Sequence, residues 1–139
     1  MFYGNTPDDT RRLFHTSWKK YLSKEMLSPL EAQLSAVIGD HPEYHTLFAQ
    51  NPDELSGMTF DGTNPFLHLG LHLTIRDQVD TNRPATITHI YHRLMQKYQD
   101  KHLVEHLMMT PLAECLWAAQ SSQSQPDEQA YLNACLSLE

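Results

Sequence analysis

Cysteine is scarce in this 139-residue sequence, and its scarcity excludes a disulfide-stabilised secreted scaffold. The two cysteines, Cys115 and Cys135, lie in apolar helical patterns and are predicted to be reduced core residues. Long apolar runs are also missing, since none approaches the roughly 18 residues that a membrane-spanning helix needs. No secretory leader is recognisable at the N-terminus. We therefore expect a soluble, cytoplasmic protein without a membrane partner.

Positively charged residues are also few. Ten lysines and arginines stand against 17 aspartates and glutamates, which gives a formal net charge of −7. A protein that binds nucleic acid needs a basic face for the phosphate backbone. Two basic pairs, Arg11-Arg12 and Lys19-Lys20, fall on the first predicted helix, where they are typical of a solvated face. The sequence therefore predicts no nucleic-acid partner.

Strand signals are almost absent, whereas helix starts recur along the chain. Each start combines a capping side chain with a neighbouring proline, and most add a carboxylate near the positive end of the helix dipole. The sequence predicts one all-α domain over residues 1–139, a bundle of about six or seven helices around one core. The longest loop is expected from Asn51 to Thr63. The starts are Thr6-Pro7-Asp8-Asp9, Ser28-Pro29-Leu30-Glu31, Thr63-Asn64-Pro65 and Pro126-Asp127-Glu128.

Apolar spacing predicts which side chains are buried. Residues 101–119 form a strongly apolar helix, in which Trp117 is predicted to anchor the core. Pro111 should kink this helix, because proline lacks a donor and clashes with the carbonyl four residues back. The stripe predicted for the first helix consists of Phe14, Trp18, Tyr21 and Leu22.

Histidine is abundant, with nine copies in a short chain. The count alone means little, so we sort the histidines by helical phase, at about 100° per residue. On the helix that Asn64 opens, His68 and His72 are four residues apart. Both share the side of Leu71 and Ile75, which predicts that both rings point into the core.

A second pair with the same spacing, His102 and His106, shares a side with Met109. A carboxylate is expected to join these histidines. Glu114 is favoured, because it lies in an apolar segment where an unpaired charge would be costly. Glu105 ranks lower, since it lies near the polar start of the helix and on its other flank.

The remaining histidines are less favourable as ligands. His45 is preferred to His41, because His41 precedes the first helical turn of its segment. Three others lie beside or opposite the apolar stripes and are discounted, with His89 and His92 predicted at the surface: His15, His89 and His92.

These patterns favour a metal site. Residues four apart on a helix have Cβ atoms about 5–6 Å apart, and two imidazoles so spaced can bind one ion at about 2.0–2.1 Å. Imidazole suits several transition metals, and zinc or iron is the predicted cofactor. The alternative is that the inward histidines are core residues bonded to carbonyls, tyrosine or glutamate. The candidate ligands are His45, His68, His72, His102, His106 and Glu114.

At the same residues the sequence resembles a known family. The likeness covers nearly the whole chain and lies in His41-Pro42-Glu43-Tyr44-His45, in Asn64-Pro65-Phe66-Leu67-His68-Leu69 with His72, and in His106 with the segment Glu114 to Gln120. The family is domain-of-unknown-function family 1841, a group of short bacterial proteins. The resemblance implies an all-helical fold and a bacterial source, and it brings no activity, cofactor or partner.

Two functions stay open from the sequence. The first is a metal-binding helical bundle, acting as a metal-dependent hydrolase or redox enzyme. The second is a non-enzymatic interaction module with structural histidines, which binds a protein partner or a second copy of itself. Motifs of other enzyme classes are missing: there is no His-Glu-x-x-His, no glycine-rich phosphate loop and no Gly-x-Ser-x-Gly.

Overall fold

The computed structural model describes residues 6–139, which contain helices and no strand. This confirms the all-α prediction, although the described residues hold eight α-helices rather than six or seven. None of these helices is both long enough and apolar enough to cross a bilayer. A 3-10 helix, Pro42–Tyr44, lies between α2 and α3. The α-helices are α1 (Pro7–Leu22), α2 (Pro29–Gly39), α3 (His45–Phe48), α4 (Pro52–Leu55), α5 (Pro65–Thr81), α6 (Ile87–Tyr98), α7 (Lys101–Ser122) and α8 (Glu128–Leu136).

The main helices begin where the capping signals predict. The Thr6 side chain accepts a backbone N–H bond of 3.1 Å at the start of α1. Ser28 and Glu31 form a reciprocal capping box on α2. At α5, Asn64 Oδ1 accepts from the backbone N–H of Phe66 at 2.9 Å. These bonds satisfy N–H groups that have no intrahelical partner in a first turn.

One short helix, α4, lies inside the segment that was predicted to be a loop. Its start carries the usual signal, since Asn51 accepts from the backbone N–H of Asp53 at 2.9 Å and Pro52 occupies the first position. A helix of four residues is too short to show an apolar period. The loop prediction was wrong for these residues because it relied on that period.

The helices pack in two groups, with the division inside α5 between Leu73 and Thr74. In the first group α1 packs on α2 and α4. The Phe14 ring stacks on Phe48 at 6.4 Å and meets Phe66 edge-on at 5.9 Å between centroids. The single domain over residues 1–139 stays a prediction. The buried cluster of this group consists of Phe14, Trp18, Leu34, Val37, Ile38, Phe48, Leu55, Phe66, Leu69 and Leu73.

The end of α1 corrects the predicted stripe. Phe14 and Trp18 are buried as predicted, but Tyr21 and Leu22 are 51% and 61% exposed. Tyr21 instead stacks on Trp18 of its own helix, with centroids 5.2 Å apart. Helical phase gives the side of a residue, whereas burial also requires that a neighbouring helix extends that far along the axis.

In the second group α7 packs against α6 and α8. The Tyr131 hydroxyl of α8 donates to Gln78 Oε1 of α5 at 2.6 Å, which ties the last helix to the end of α5. Thr88 donates to the Val79 carbonyl at 2.6 Å and holds the start of α6. Buried side chains of this group include Ile87, Ile90, Leu94, Val104, Met108, Leu112, Tyr131 and Cys135.

The second half of α7 is more exposed than predicted. Trp117, the predicted core anchor, is 71% exposed. Cys115 is only half-buried and donates its thiol proton to the Asp127 carbonyl at 3.6 Å, whereas Cys135 is fully buried. The apolar residues of α7 are not confined to one side of the helix, so phase alone does not choose its buried side. Pro111 lies inside the helix, and the kink expected there stays a prediction.

Candidate metal centre

His41 follows the C-terminal end of α2 and is fully buried. A helix leaves its last carbonyls without intrahelical partners, and His41 uses one of them, with Nδ1 2.7 Å from the Val37 oxygen. Because a carbonyl can only accept, Nδ1 carries the proton and the neutral ring has its lone pair on Nε2. A ligating histidine usually has its other nitrogen held in this way, which makes Nε2 the candidate ligand atom of His41.

Two histidines of α5 lie beside His41. The ring centroids of His68 and His72 are 4.9 Å apart, and the His41 ring lies 5.2 Å from His68 and 4.5 Å from His72. His72 is fully buried, which confirms its predicted inward direction, whereas His68 is half-buried. The Tyr44 ring lies parallel to His41 at 5.8 Å. Burial raises the pKa of the Tyr44 hydroxyl.

The predicted pair on α7 is close together as well. The His102 and His106 ring centroids are 4.4 Å apart, as expected for one helical turn. His102 is half-buried and His106 is exposed. The first turn of α7 is capped by Asp100, which accepts from the backbone N–H of Leu103 at 3.1 Å. The cap fixes where the helix begins and therefore the position of both rings along it.

Four histidines contribute one ligand nitrogen each to a common group: His41, His72, His102 and His106. These atoms all lie within 4.8 Å of one another. In a tetrahedral site with bonds of about 2.0–2.1 Å, ligand atoms are about 3.4 Å apart. The upper limit of 4.8 Å is about 1.4 Å above that spacing. Four imidazoles so placed are a suitable donor set for a divalent transition metal.

His45, which was preferred to His41 from the sequence, is placed differently. Its Nε2 lies 2.9 Å from the Ile38 carbonyl oxygen, and its ring is 4.7 Å from Trp18. His45 therefore holds the end of α2 and packs in the aromatic part of the first group of helices. The structure puts His41, not His45, in the four-histidine group.

Helical phase could not find His41, because His41 stands outside any regular helix. A different signal was available in Asp40-His41-Pro42. A residue before proline is pushed out of the helical region, so His41 had to end α2. A histidine at that position can bond the last carbonyls of the helix, and such a bond directs the other ring nitrogen away from α2.

Glu114, the carboxylate favoured from the sequence, is exposed. Its apolar neighbours in the sequence therefore do not bury it, and its role as a ligand stays a prediction. The buried carboxylate of α7 is Glu105, which is 1% exposed. Arg76 Nε lies 3.2 and 3.1 Å from its two oxygens. Burying Glu105 requires such a partner, and Arg76 lies 29 residues away in the chain, too far for the sequence to indicate the pair.

Of the three histidines that were discounted as ligands, one differs from prediction in its burial. His89 and His92 are exposed, as predicted. His15 was discounted, yet it is buried and its Nε2 lies 2.8 Å from the Gln50 carbonyl oxygen. This is the satisfied core histidine that the alternative interpretation describes.

The fold and the site together define an all-helical protein with a cluster of histidines able to hold a metal ion. Residues 6–137 match the model of a family described as "Domain of unknown function (DUF1841)", and the chain belongs to this family. The match confirms the resemblance noted in the sequence, while a bacterial source stays a prediction. No curated protein and no solved structure matched the chain.

Proposed function

We propose that this chain is a metal-binding protein in which four histidines hold one divalent transition-metal ion, zinc or iron. The proposal rests chiefly on the separation of the ligand atoms of His41, His72, His102 and His106, which is at most 4.8 Å for any pair. This set keeps three of the predicted ligands and replaces His45 and His68 by His41. Glu114 is left out, because it does not belong to the group whose ligand atoms lie within 4.8 Å of one another.

The chemistry of imidazole supports a cation at this position. A neutral imidazole ring carries one lone pair on its unprotonated nitrogen, and a divalent cation accepts several such lone pairs at one point. The bond from His41 to Val37 adds the fixed tautomer that a ligand needs.

The exposure of the ligands indicates what the ion can do. Two ligands are buried, His102 is half-buried and His106 is exposed. A site of this kind is accessible to solvent from the side of His106, and movement of that ring leaves a position for water or substrate. An ion with an open position supplies Lewis-acid chemistry, or redox chemistry when it is iron.

The test is metal analysis of protein purified without a histidine tag. The wild type is expected to retain close to one zinc or iron per chain after dialysis. His41→Ala, His72→Ala and His106→Ala should each lower the metal content at least tenfold, since second-shell changes alone reduce affinity by about 10–100-fold. His89→Ala is the matched control, because His89 is an exposed helical histidine outside the group.

Two further variants distinguish the four-histidine group from the six ligands predicted from the sequence. His45→Ala and Glu114→Ala should keep the full metal content, since neither residue belongs to the four-histidine group. Metal below one-tenth of an equivalent in the wild type, or unchanged in all four group variants including His102→Ala, contradicts the proposal.

One observation favours the alternative of an interaction module. Trp117 is 71% exposed on α7, and tryptophan is enriched at the centres of protein interfaces. This function predicts a melting temperature that does not respond to metal, and loss of a co-purifying partner in Trp117→Ala. A metal-dependent melting temperature together with monomeric behaviour of the wild type would exclude it.

A further inference from the structure

A cavity of about 270 Å³ lies in the first group of helices, where α1 and α5 begin. Phe14, Phe66 and Leu67 give it apolar walls, and Arg11 and Asn64 add polar groups. We infer that this cavity binds a small organic carboxylate with an apolar body. The inference is independent of the metal site, because Arg11 and the other residues of the cavity lie outside the four-histidine group.

Arg11 is held rigidly at the wall of the cavity. Its Nη1 donates to the carbonyl oxygens of Leu55 and Met58 at 2.7 and 2.8 Å. Its guanidinium carbon lies 5.0 Å from the Phe66 ring centroid and 5.6 Å from that of Phe60. The two carbonyls use the hydrogens of Nη1 and the rings cover the guanidinium, so three in-plane hydrogens remain on Nε and Nη2. The sequence predicted that both Arg11 and Arg12 lie on a solvated face. Arg12 is exposed as predicted, whereas Arg11 is half-buried.

The positive charge of Arg11 favours the binding of an anion. The neighbouring Arg12 pairs with Asp53 at 2.8 Å and with Asp8 at 3.8 Å. Arg11, by contrast, has two carbonyls and two rings as partners and no carboxylate within 4.0 Å among residues 6–139. A carboxylate is the partner that matches a planar guanidinium with in-plane donors.

The start of α5 adds to the positive potential. Asn64 caps this helix and lines the cavity, and helix N-termini favour negative charge. The first turn of α5 carries no acidic residue that would neutralise this effect. Pro7 at the start of α1 also lines the cavity, but Asp8 and Asp9 in the first turn of that helix offset its contribution.

The size and the walls indicate the rest of the ligand. At roughly 30 Å³ per water-sized group, a volume of about 270 Å³ accommodates about nine such groups. The aromatic walls of Phe14 and Phe66 favour edge-on contact with a ring. A monocarboxylate with an aromatic or branched body of this size matches both the Arg11 guanidinium and the apolar walls. Benzoate is the simplest probe of this kind.

The test compares benzoate with benzamide, which has the same shape and no charge. Full-length protein treated with EDTA is titrated with each compound and followed by amide resonances in two-dimensional NMR. Benzoate should give saturable shifts at residues 7–11 and 64–67 with a dissociation constant below about 5 mM. Benzamide should bind at least tenfold more weakly, because it cannot pair with the Arg11 charge.

Two variants and one control complete the experiment. Arg11→Met should lower benzoate affinity at least tenfold, and Arg12→Met, on the neighbouring ion-paired arginine, should change it less than twofold. Leu67→Trp fills the cavity from its rim and should abolish binding even if Arg11→Met fails to fold. Equal binding of benzamide, shifts confined to other residues, or no saturation by 20 mM benzoate overturns the inference.

Discussion

At the scale of single residues, two histidines of one short segment have different placements. His41 and His45 both bond carbonyls in the last turn of α2, Val37 and Ile38 respectively. His41 does so through Nδ1, whereas His45 does so through Nε2 and packs against Trp18. The choice of bonded nitrogen, not residue type or spacing, separates the candidate ligand from the structural residue.

The two thiols should differ in reactivity. Burial raises the pKa of Cys135 to about 11 and also raises the pKa of the half-buried Cys115. Only the thiolate is nucleophilic, and Cys135 is in addition fully covered. At pH 8 we expect iodoacetamide to label Cys115 at least tenfold faster than Cys135, as measured by peptide mass spectrometry. Equal rates in the folded protein would contradict this account, and equal rates in urea are the control.

The buried pair of Arg76 and Glu105 gives a second prediction. Glu105 is almost fully buried, and Arg76 Nε approaches both of its oxygens. Arg76→Met removes the cation and leaves a buried carboxylate, which should lower the unfolding free energy by about 3 kcal/mol. Urea denaturation of Arg76→Met and of the double variant Arg76→Met/Glu105→Leu measures the effect. The double variant should recover most of the loss, and a double variant no more stable than the single one would argue against it.

At the scale of helices, the cap of α5 positions the histidines of that helix. Asn64 Oδ1 lies 2.9 Å from the backbone nitrogen of Phe66. Asn64→Ala removes this acceptor and should lower the unfolding free energy by about 1 kcal/mol. Asn64→Asp keeps an acceptor and serves as the control, with a change of only a few tenths of a kcal/mol expected in chemical denaturation. A loss in Asn64→Asp as large as in Asn64→Ala would show that the cap is not the cause.

Helix starts were predictable from sequence because the cap is local. Thr6, Ser28 and Asn64 each bond a backbone N–H within three residues. The buried faces were less predictable, because they depend on where a second helix lies. Tyr21 and Trp117 follow the apolar pattern and are exposed nevertheless. No pattern along one helix specifies how far its neighbour covers it.

At the scale of the whole molecule, the site was predictable only in part. The spacing of four residues identified His72 and the pair His102 and His106, because one helical turn alone brings two rings together. His41 belongs to the same candidate group, but its position before Pro42 follows no helical period. The buried carboxylate, Glu105, depends on a partner 29 residues away. Local spacing was therefore a good guide to pairs and a poor guide to the complete set.

Metal binding should stabilise the fold in a pH-dependent way. At an ion concentration 100-fold above the dissociation constant, the unfolding free energy should rise by about 2.7 kcal/mol. Only neutral imidazole is a ligand, and histidine titrates at about pH 6.5 in general. The stabilisation should therefore be present at pH 7.5 and lost as the pH falls below about 5.5. Calorimetry with and without zinc at both pH values measures it, with His72→Ala as a variant that should not respond. A gain of equal size at both pH values would contradict histidine ligation.

Ligation by four histidines is tested most directly by X-ray absorption at the zinc edge of protein loaded with one equivalent of zinc. Four nitrogen ligands are expected at about 2.0–2.1 Å, with the multiple scattering of imidazole rings. His41→Ala should lose one imidazole from this shell, whereas His45→Ala should leave it unchanged. A shell made mainly of oxygen, or one that is the same in His41→Ala as in the wild type, would contradict a site built from His41, His72, His102 and His106.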